Sequence, residues 1–339
     1  MRGLDAEPVT QAEAAVLFGR FDPLESVALA VSGGPDSTAL LGLWAGCRRG
    51  RGDVVVTVDH GLRPEARGEA EAVGRFARRL GLEHVVLTWD GDKPASGVQE
   101  AARRARYSLM RAFVQARGLQ GVVLAHTRDD QAETVLMRLV RGSGLRGLAG
   151  MTEFSNLDGL SLLRPLLAVS KARLVASCEA NGWPFIRDPS NENAAFLRPR
   201  LRRLMPLLAA EGLTAERLSV LAERAAEADF LLDHVARSAL IDSDAALRGR
   251  KAGYGAVHAP TMLGKGREKA VRMLSLAIRG YDPEAVPVLL LERLEALAER
   301  LLAAFEAGRP HTGTIAGYKV RLEGDIVRIS PAPPRRRLS

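Results

Sequence analysis

The chain has 339 residues, 47% hydrophobic and 26% charged, enough for two or three domains with a substantial buried core. Its formal net charge of +8, carried mainly by arginine, suits a polyanionic partner such as nucleic acid or reflects a basic proteome, and composition alone leaves both open. Cys47 and Cys178 form no CxxC pair, no apolar run has membrane-spanning length and the N-terminus carries early acids, so the usual signals for zinc, iron–sulfur, disulfide and membrane proteins are missing and a cytoplasmic setting is expected.

Residues 11–20 read as a short amphipathic helix. SVALAV (26–31) is a short apolar run bounded by turn residues, which predicts a buried parallel strand. TALLGLWAGC follows as a helix, DVVVTVDHG (53–61) as a second strand, and ARGEAEAVGRFARRLG as a helix stopped by Gly81. HVVLTWD (84–90) is a third strand, and a basic helix over 97–117 ends at Gly118. GVVLAHT (121–127) is a fourth strand, before the helix DDQAETVLMRLVRG. This alternation predicts an α/β fold with a doubly wound, mainly parallel sheet.

Beyond Gly150 the pattern loosens. GLSLLRPLL predicts a strand ending at Pro165, and SKARLVASCEANG a helix with Ser170 as its N-cap. An Ala- and Leu-rich helical stretch runs from Glu211 to Ile241, and helices are expected at 269–280 and 284–308, while 242–268 gives only a weak reading. TGTIAGYKVRLEGDIVRIS alternates around a Gly-Asp turn and predicts a β-hairpin, followed by a disordered basic tail, PAPPRRRLS. The expected domains are therefore 1–210, a helical region at 211–310, and a hairpin with tail at 311–339.

Ser32-Gly33-Gly34-Pro35-Asp36-Ser37 breaks the first apolar run between a strand and a helix. Free N–H groups and the helix dipole make such a turn an anion site, two glycines let the backbone approach closely, and two serines add hydroxyls. Asp36 beside phosphates calls for a cation between them and reads as a Mg²⁺ ligand. The stretch is neither GxxxxGK[ST] nor GxGxxG, and a plain tight turn remains an alternative.

Asp130 and Glu133 lie three apart on the helix after the fourth strand, on one face and toward the crevice that the loop also borders. They suit an ammonium group, its proton or a metal, with stabilisation of the helix N-terminus as the plain alternative. His60 and His126 each follow a strand at the same sheet edge, where a structural and a functional reading weigh equally. Arg103 and Arg106 share a helix face suited to phosphate. Arg198, Arg200, Arg202 and Arg203 have no acids close in sequence, which suggests an RNA backbone contact or closure over phosphates.

The loop resembles the SGGxDS loop of the PP-loop ATP pyrophosphatases, which grip the outer phosphates of ATP and release pyrophosphate. Within that superfamily the chain resembles the tRNA(Ile)-lysidine synthetases. The similar stretches are VDHGLR from Val58 to Arg63, EAARRARY from Glu100 to Tyr107, AHTRDDQAET from Ala125 to Thr134, and RGSG from Arg141. RPLL from Arg164, DPSN from Asp188 and RPRLR from Arg198 follow in the same order. Thr127 stands where these proteins usually have a second histidine, and Pro199 where they have asparagine.

The resemblance implies ATP and Mg²⁺ as cofactors, L-lysine and a tRNA(Ile) with a CAU anticodon as partners, and lysine ligation to C2 of cytidine 34 through an adenylylated tRNA. It assigns Ser32, Gly33, Gly34, Pro35, Asp36 and Ser37 to ATP, with Asp59, His60 and Arg63 beside them and Asp36 on the metal. It gives Asp130 and Glu133 to lysine, Arg103, Arg106 and His126 to the adenylylated intermediate, and the helical region after Glu211 with the tail to the tRNA body. A homodimer is compatible with it. A tRNA thiolase or an amide-forming synthetase is the alternative within the superfamily, and a non-catalytic RNA-binding module the alternative outside it.

Overall fold

The computed structural model describes residues 7–48, 51–62, 65–91, 93–94, 96–186, 197–248, 255–264, 266–281 and 291–332. Strands β1 (Ala28–Ala30), β2 (Val54–Asp59), β3 (Glu83–Thr88), β4 (Val122–Val123), β5 (Phe154–Leu157) and β6 (Leu160–Leu163) form one sheet in the order β3-β2-β1-β4-β6-β5. Ala28 pairs in parallel with Val54 on one side and with Val122 on the other, and only the edge strand β5 runs antiparallel. Strands buried on both faces need apolar side chains on both, which is why β1, β2 and β4 read as unbroken runs rather than as alternation.

Helices α1 (Gln11–Gly19), α2 (Pro35–Cys47), α3 (Ala66–Arg79), α4 (Val98–Ala116), α5 (Arg128–Val140) and α7 (Lys171–Asn181) connect or cover these strands, with the short α6 (Leu145–Leu148) after α5, and α8 (Leu197–Ala210) and α9 (Ala215–Leu247) follow α7 in the chain. Phe18, Trp44, Phe76 and Leu174 of α1, α2, α3 and α7 pack with Leu29, Val55 and Val123 in one core. Tyr107, Met110 and Val114 of α4 pack on the opposite face, against Ala28, Val56 and Val122. The expected doubly wound sheet is thus present. Its order reverses between β1 and β4, and a crevice opens outside the carboxyl ends of strands at such a switch point.

The sequence reading missed three elements of this part, β5, the short α6 and α8. The edge strand β5 turns back into β6 through Asp158 and Gly159, both with positive φ, 49° and 85°. The RPRLR stretch lies on α8, with Pro199 close to its start, where a missing N–H breaks no helical bond. Leu201 of α8 is buried, and Met205 joins a small core with Ala132 and Val135 of α5 and Leu218 and Ala222 of α9.

Contacts along the chain define two compact units, Met1–Ser143 with Gly147–Glu223, and Gly144–Arg146 with Arg224–Ser339, the division falling within α9. In the second unit, β7 (Ala256–His258), β8 (His311–Ile315), β9 (Tyr318–Glu323) and β10 (Ile326–Pro331) form an antiparallel sheet in the order β7-β10-β9-β8. The expected hairpin at Gly324-Asp325 joins β9 to β10, but it belongs to this four-stranded sheet, whose first strand comes from the weakly read 242–268 stretch. Helices α10 (Ala259–Leu263), α11 (Arg267–Tyr281) and α12 (Leu291–Glu306) supply Met262, Leu274 and Leu301 to a core with Val320 and Val327. Residues 284–290 and the tail at 333–339 lie outside the described residues. Among those described, no helix is long and apolar enough to cross a membrane.

Candidate active site

The first wall of the crevice is the turn from β1 into α2. Gly33 adopts φ +87°, and a Cβ there would stand 3.3 Å from both Ile186 and Val73, so the position needs glycine for conformation as well as space. Gly34 is the N-cap of α2 without a side-chain cap, and Pro35 follows at the first turn. The early N–H groups of α2 are therefore left for an anion. Ser37 Oγ ties the loop by donating to Gly34 O at 3.1 Å and accepting from Ser32 N at 3.2 Å. Ser32 Oγ lies 3.3 Å from the same hydroxyl.

A cavity of about 310 Å³ opens above this loop. Ser32, Gly34, Pro35, Asp36 and Ser37 line one side, Val56, Val58, Met110 and Leu124 give it an apolar wall, and Arg106 and His126 close it. An apolar wall beside a helix-start turn with free N–H groups is the lining a nucleotide needs, with a base against the aliphatic side chains. Arg106 Nε is buried without a hydrogen-bond partner among the described residues, as is His126 Nδ1. Burial drives His126 down to about 3, with Arg164, Arg106 and Arg198 acting in the same direction against Asp130, so its ring is neutral at any working pH. It can donate or accept a hydrogen bond there, but it brings no charge.

Asp36 faces the crevice from the first turn of α2. Burial pushes its carboxyl up to about 6; Lys171 opposes this, and Asp130 and Asp129 reinforce it. Its Oδ1 is buried and has no hydrogen-bond partner among the described residues. Among those residues no group of three or more His, Cys, Asp or Glu side chains could hold a metal unaided. A single carboxylate with an unmet oxygen beside a phosphate site fits Mg²⁺ instead, which takes one or two carboxylates and completes its shell with phosphates and water.

The second wall is the turn from β4 into α5. Thr127 is the N-cap of α5 and forms a capping box with Asp130. The residue that departs from the resembled pattern thus has a structural task. Asp130 Oδ2 accepts from Thr127 N at 3.0 Å and from its Oγ1 at 2.9 Å, leaving Oδ1 for the crevice. Asp129 accepts from Lys171 N at 2.8 Å, at the start of α7, whose N-cap is Ser170 as expected.

Glu133 is 3% exposed, and its oxygens accept from Arg202 Nε and Arg198 Nε, each at 2.6 Å. Arg198 also reaches Asp130 Oδ1 at 3.1 Å. The acids that Arg198 and Arg202 lack in the sequence nearby are therefore supplied in space by α5. Lys171, which the sequence reading passed over, places Nζ 3.1 Å from Asp130 Oδ1 and 3.8 Å from Asp36 Oδ2. Its ammonium links the two walls. Lys171 Nζ, Arg198 and the capping bond hold Asp130 below the usual carboxylate range, against its burial.

Other expected residues stand elsewhere. Arg103 is exposed and lies over the Tyr107 ring, 5.2 Å from its centroid, outside the cavity lining. Asp59 accepts from Gly61 N at 2.8 Å and shapes the turn after β2. His60 lines a second cavity of about 190 Å³ with Ser32, Thr57 and Glu69. Arg200 and Arg203 are exposed on α8. Arg63 and the Asp188–Asn191 stretch lie outside the described residues. Arg164, at the carboxyl end of β6, is buried and donates to Thr152 O at 2.8 Å and Ser155 Oγ at 2.9 Å, holding the β5 connection.

The PP-loop domain family model matches residues 7–208. The chain is 47% identical to a tRNA(Ile)-lysidine synthase of Bradyrhizobium sp. (strain BTAi1) over 98% of this chain and 97% of that one. It is 47% identical to a tRNA(Ile)-lysidine synthase of Rhodopseudomonas palustris over 99% of each. Among solved structures, a U34-tRNA thiolase from Methanococcus maripaludis superimposes with a TM-score of 0.56 at 16% identity, over 64% of this chain and 78% of that one. That last likeness is one of fold.

Proposed function

Because the chain belongs to the tRNA(Ile)-lysidine synthase family of PP-loop proteins, we propose that it ligates L-lysine to C2 of cytidine 34 in the CAU anticodon of tRNA(Ile), converting ATP to AMP and pyrophosphate. The observation that carries this reading is the ammonium of Lys171 between Asp36 and Asp130. An amine is already accommodated where the nucleotide wall meets the acid wall, which is where an incoming lysine has to arrive.

In the first step the cytidine C2 oxygen attacks the α-phosphorus of ATP and pyrophosphate departs with the electron pair of the broken P–O bond. The N–H groups at the start of α2 and the hydroxyls of Ser32 and Ser37 hold the departing pyrophosphate. Asp36 would hold Mg²⁺, which supplies charge neutralisation to the phosphates when bound. Arg106, which lines the cavity, faces the charge that develops on the α-phosphate, and neutral His126 provides a hydrogen bond beside it.

In the second step the ε-amine of lysine attacks C2 and AMP leaves. Only the neutral amine is a nucleophile, so its proton has to go to a base or to water. Asp130 and Glu133 orient the ammonium, and a carboxylate oxygen of this pair accepts that proton. The arginines of α8 and the basic residues beyond contact the RNA. The site of action is the cytoplasm, where the tRNA is.

Incubation with ATP, L-lysine and unmodified CAU tRNA(Ile) should give lysine-dependent AMP and a nucleoside whose mass rises by one lysine less water. No product from a verified tRNA overturns the reading. Replacement of lysine by ammonia or a sulfur donor with retained AMP release would favour a synthetase or a thiolase instead.

A further inference from the structure

We propose that Arg198 and Arg202 are built-in competitors of the lysine substrate, so that lysine binds productively only after RNA has drawn them off α5. This rests on the reading that Asp130 and Glu133 take the substrate ammonium, and it adds an order of binding to it.

All four oxygens of the acid pair are already engaged by this chain. Glu133 Oε1 accepts from Arg202 Nε at 2.6 Å, and Oε2 from Arg198 Nε at 2.6 Å and Arg202 at 3.1 Å. Asp130 Oδ1 accepts from Arg198 and Lys171, each at 3.1 Å, and Oδ2 is committed to Thr127. A lysine ammonium brings three donors and no acceptor, so it needs the same oxygens and meets three cations already in place. Joining this set would put a fourth cation against two carboxylates. The ammonium has to replace part of it.

The placement of the two arginines suits exchange. Their side chains are 39% and 45% exposed, whereas that of Glu133 is 4% exposed, so the guanidinium groups can swing to solvent while the carboxylate stays. Arg198 and Arg202 are one helical turn apart, and Leu201 between them anchors α8 to the core, so the helix need not leave for its arginines to turn. Arg200 and Arg203 lie exposed on the same helix. An RNA phosphate offers a guanidinium the same bidentate geometry that Glu133 does, with neighbouring positive charge to support it. RNA docking on α8 therefore competes with α5 for these side chains and frees the acids. Where the competent state is the minor one, apparent lysine affinity falls by the fraction of molecules in it.

The test is equilibrium dialysis of radiolabelled L-lysine against the full chain, with and without CAU tRNA and a non-hydrolysable ATP analogue. Wild-type protein should bind lysine at least roughly tenfold more tightly with RNA present. The Arg198→Gln/Arg202→Gln variant should bind lysine without RNA about as tightly as wild type does with it. In turnover, the single Arg202→Gln variant should lower KM for lysine while raising KM for tRNA, a split that loss of fold does not produce. Lysine affinity of the wild type that ignores RNA overturns the proposal, whether or not the double variant folds. So does a folded double variant that binds lysine no better than wild type. Absence of any lysine-modified cytidine from wild type would instead overturn the substrate assignment, so the two failures are separable.

Discussion

The two turns that flank the switch point are built from the same plan, a buried strand running into a helix N-terminus, and they are left in opposite states. After β1 the helix has no side-chain cap, Asp36 Oδ1 is unmet and a cavity stands open. After β4 the helix is closed by a capping box, and both carboxylates are paired with three cations. The first turn has groups waiting for a cation and an anion. The second is satisfied, and whatever binds there has to displace something. An open half and a latched half meet at Lys171, and the proposed order of binding draws on that difference.

The largest effect that would break this contrast is at Asp36. Asp36→Asn should lower lysidine formation roughly a thousandfold, because it removes the carboxylate that the proposed mechanism sets on the metal beside the phosphates. The same change should stabilise the free protein. With a folded pKa of about 6 against the 3.8 of a free aspartate, Asp36 contributes stability that is fully present below the lower value and lost as pH rises through the higher. At pH 7.5 the asparagine variant should therefore be more stable by about 3 kcal/mol. The gain should vanish near pH 4. Thermal melts across that range check it, and a variant less stable than wild type at pH 7.5 would mean that the acid is not held at a cost.

A second, smaller effect sharpens the same point. Below about pH 6 protons compete with the cation for Asp36, so metal-dependent ATP binding should weaken by up to about tenfold per pH unit. Part of any such slope belongs to the phosphates of ATP. The slope that persists in Asp36→Asn measures that part, and equal slopes in the two proteins would remove Asp36 from the metal site. His126, held neutral throughout, should add no inflection between pH 5 and 8.

What the sequence let through is local or periodic. The strands around the switch point declare themselves because burial on both faces demands unbroken apolar runs, and the loop declares itself because its six residues are contiguous. β5 was missed although Asp158-Gly159 is a strong short-range hairpin signal, because FSNL is too polar to look like a strand next to LSLL. The pairing of Glu133 with Arg198 and Arg202 spans 65 and 69 residues. No spacing rule reaches that far, so the arginines looked free for RNA when they are held by acids. Lys171 was hidden for the same reason: a single lysine after an N-cap serine reads as an ordinary helix start until the sheet brings β1, β4 and β6 side by side.

The smallest of the three effects tests whether the latched half depends on its cap. Thr127 Oγ1 accepts from Asp130 N at 3.2 Å and donates to Asp130 Oδ2 at 2.9 Å, so it both satisfies the helix and holds one carboxylate oxygen out of the crevice. Thr127→Ala removes both bonds and should cost about 1 kcal/mol in stability, the usual worth of an N-cap. Its more telling consequence is on Asp130. Freed of the hydroxyl, the carboxylate can rotate toward Lys171 and Arg198, which tightens the latch and should raise KM for lysine with little change in KM for ATP. Thr127→Ser keeps the hydroxyl and should restore both quantities. A Thr127→Ala protein that loses stability but keeps the wild-type KM for lysine would show that the hydroxyl supports only the helix, and that Asp130 is oriented by the Thr127 N–H and its cations.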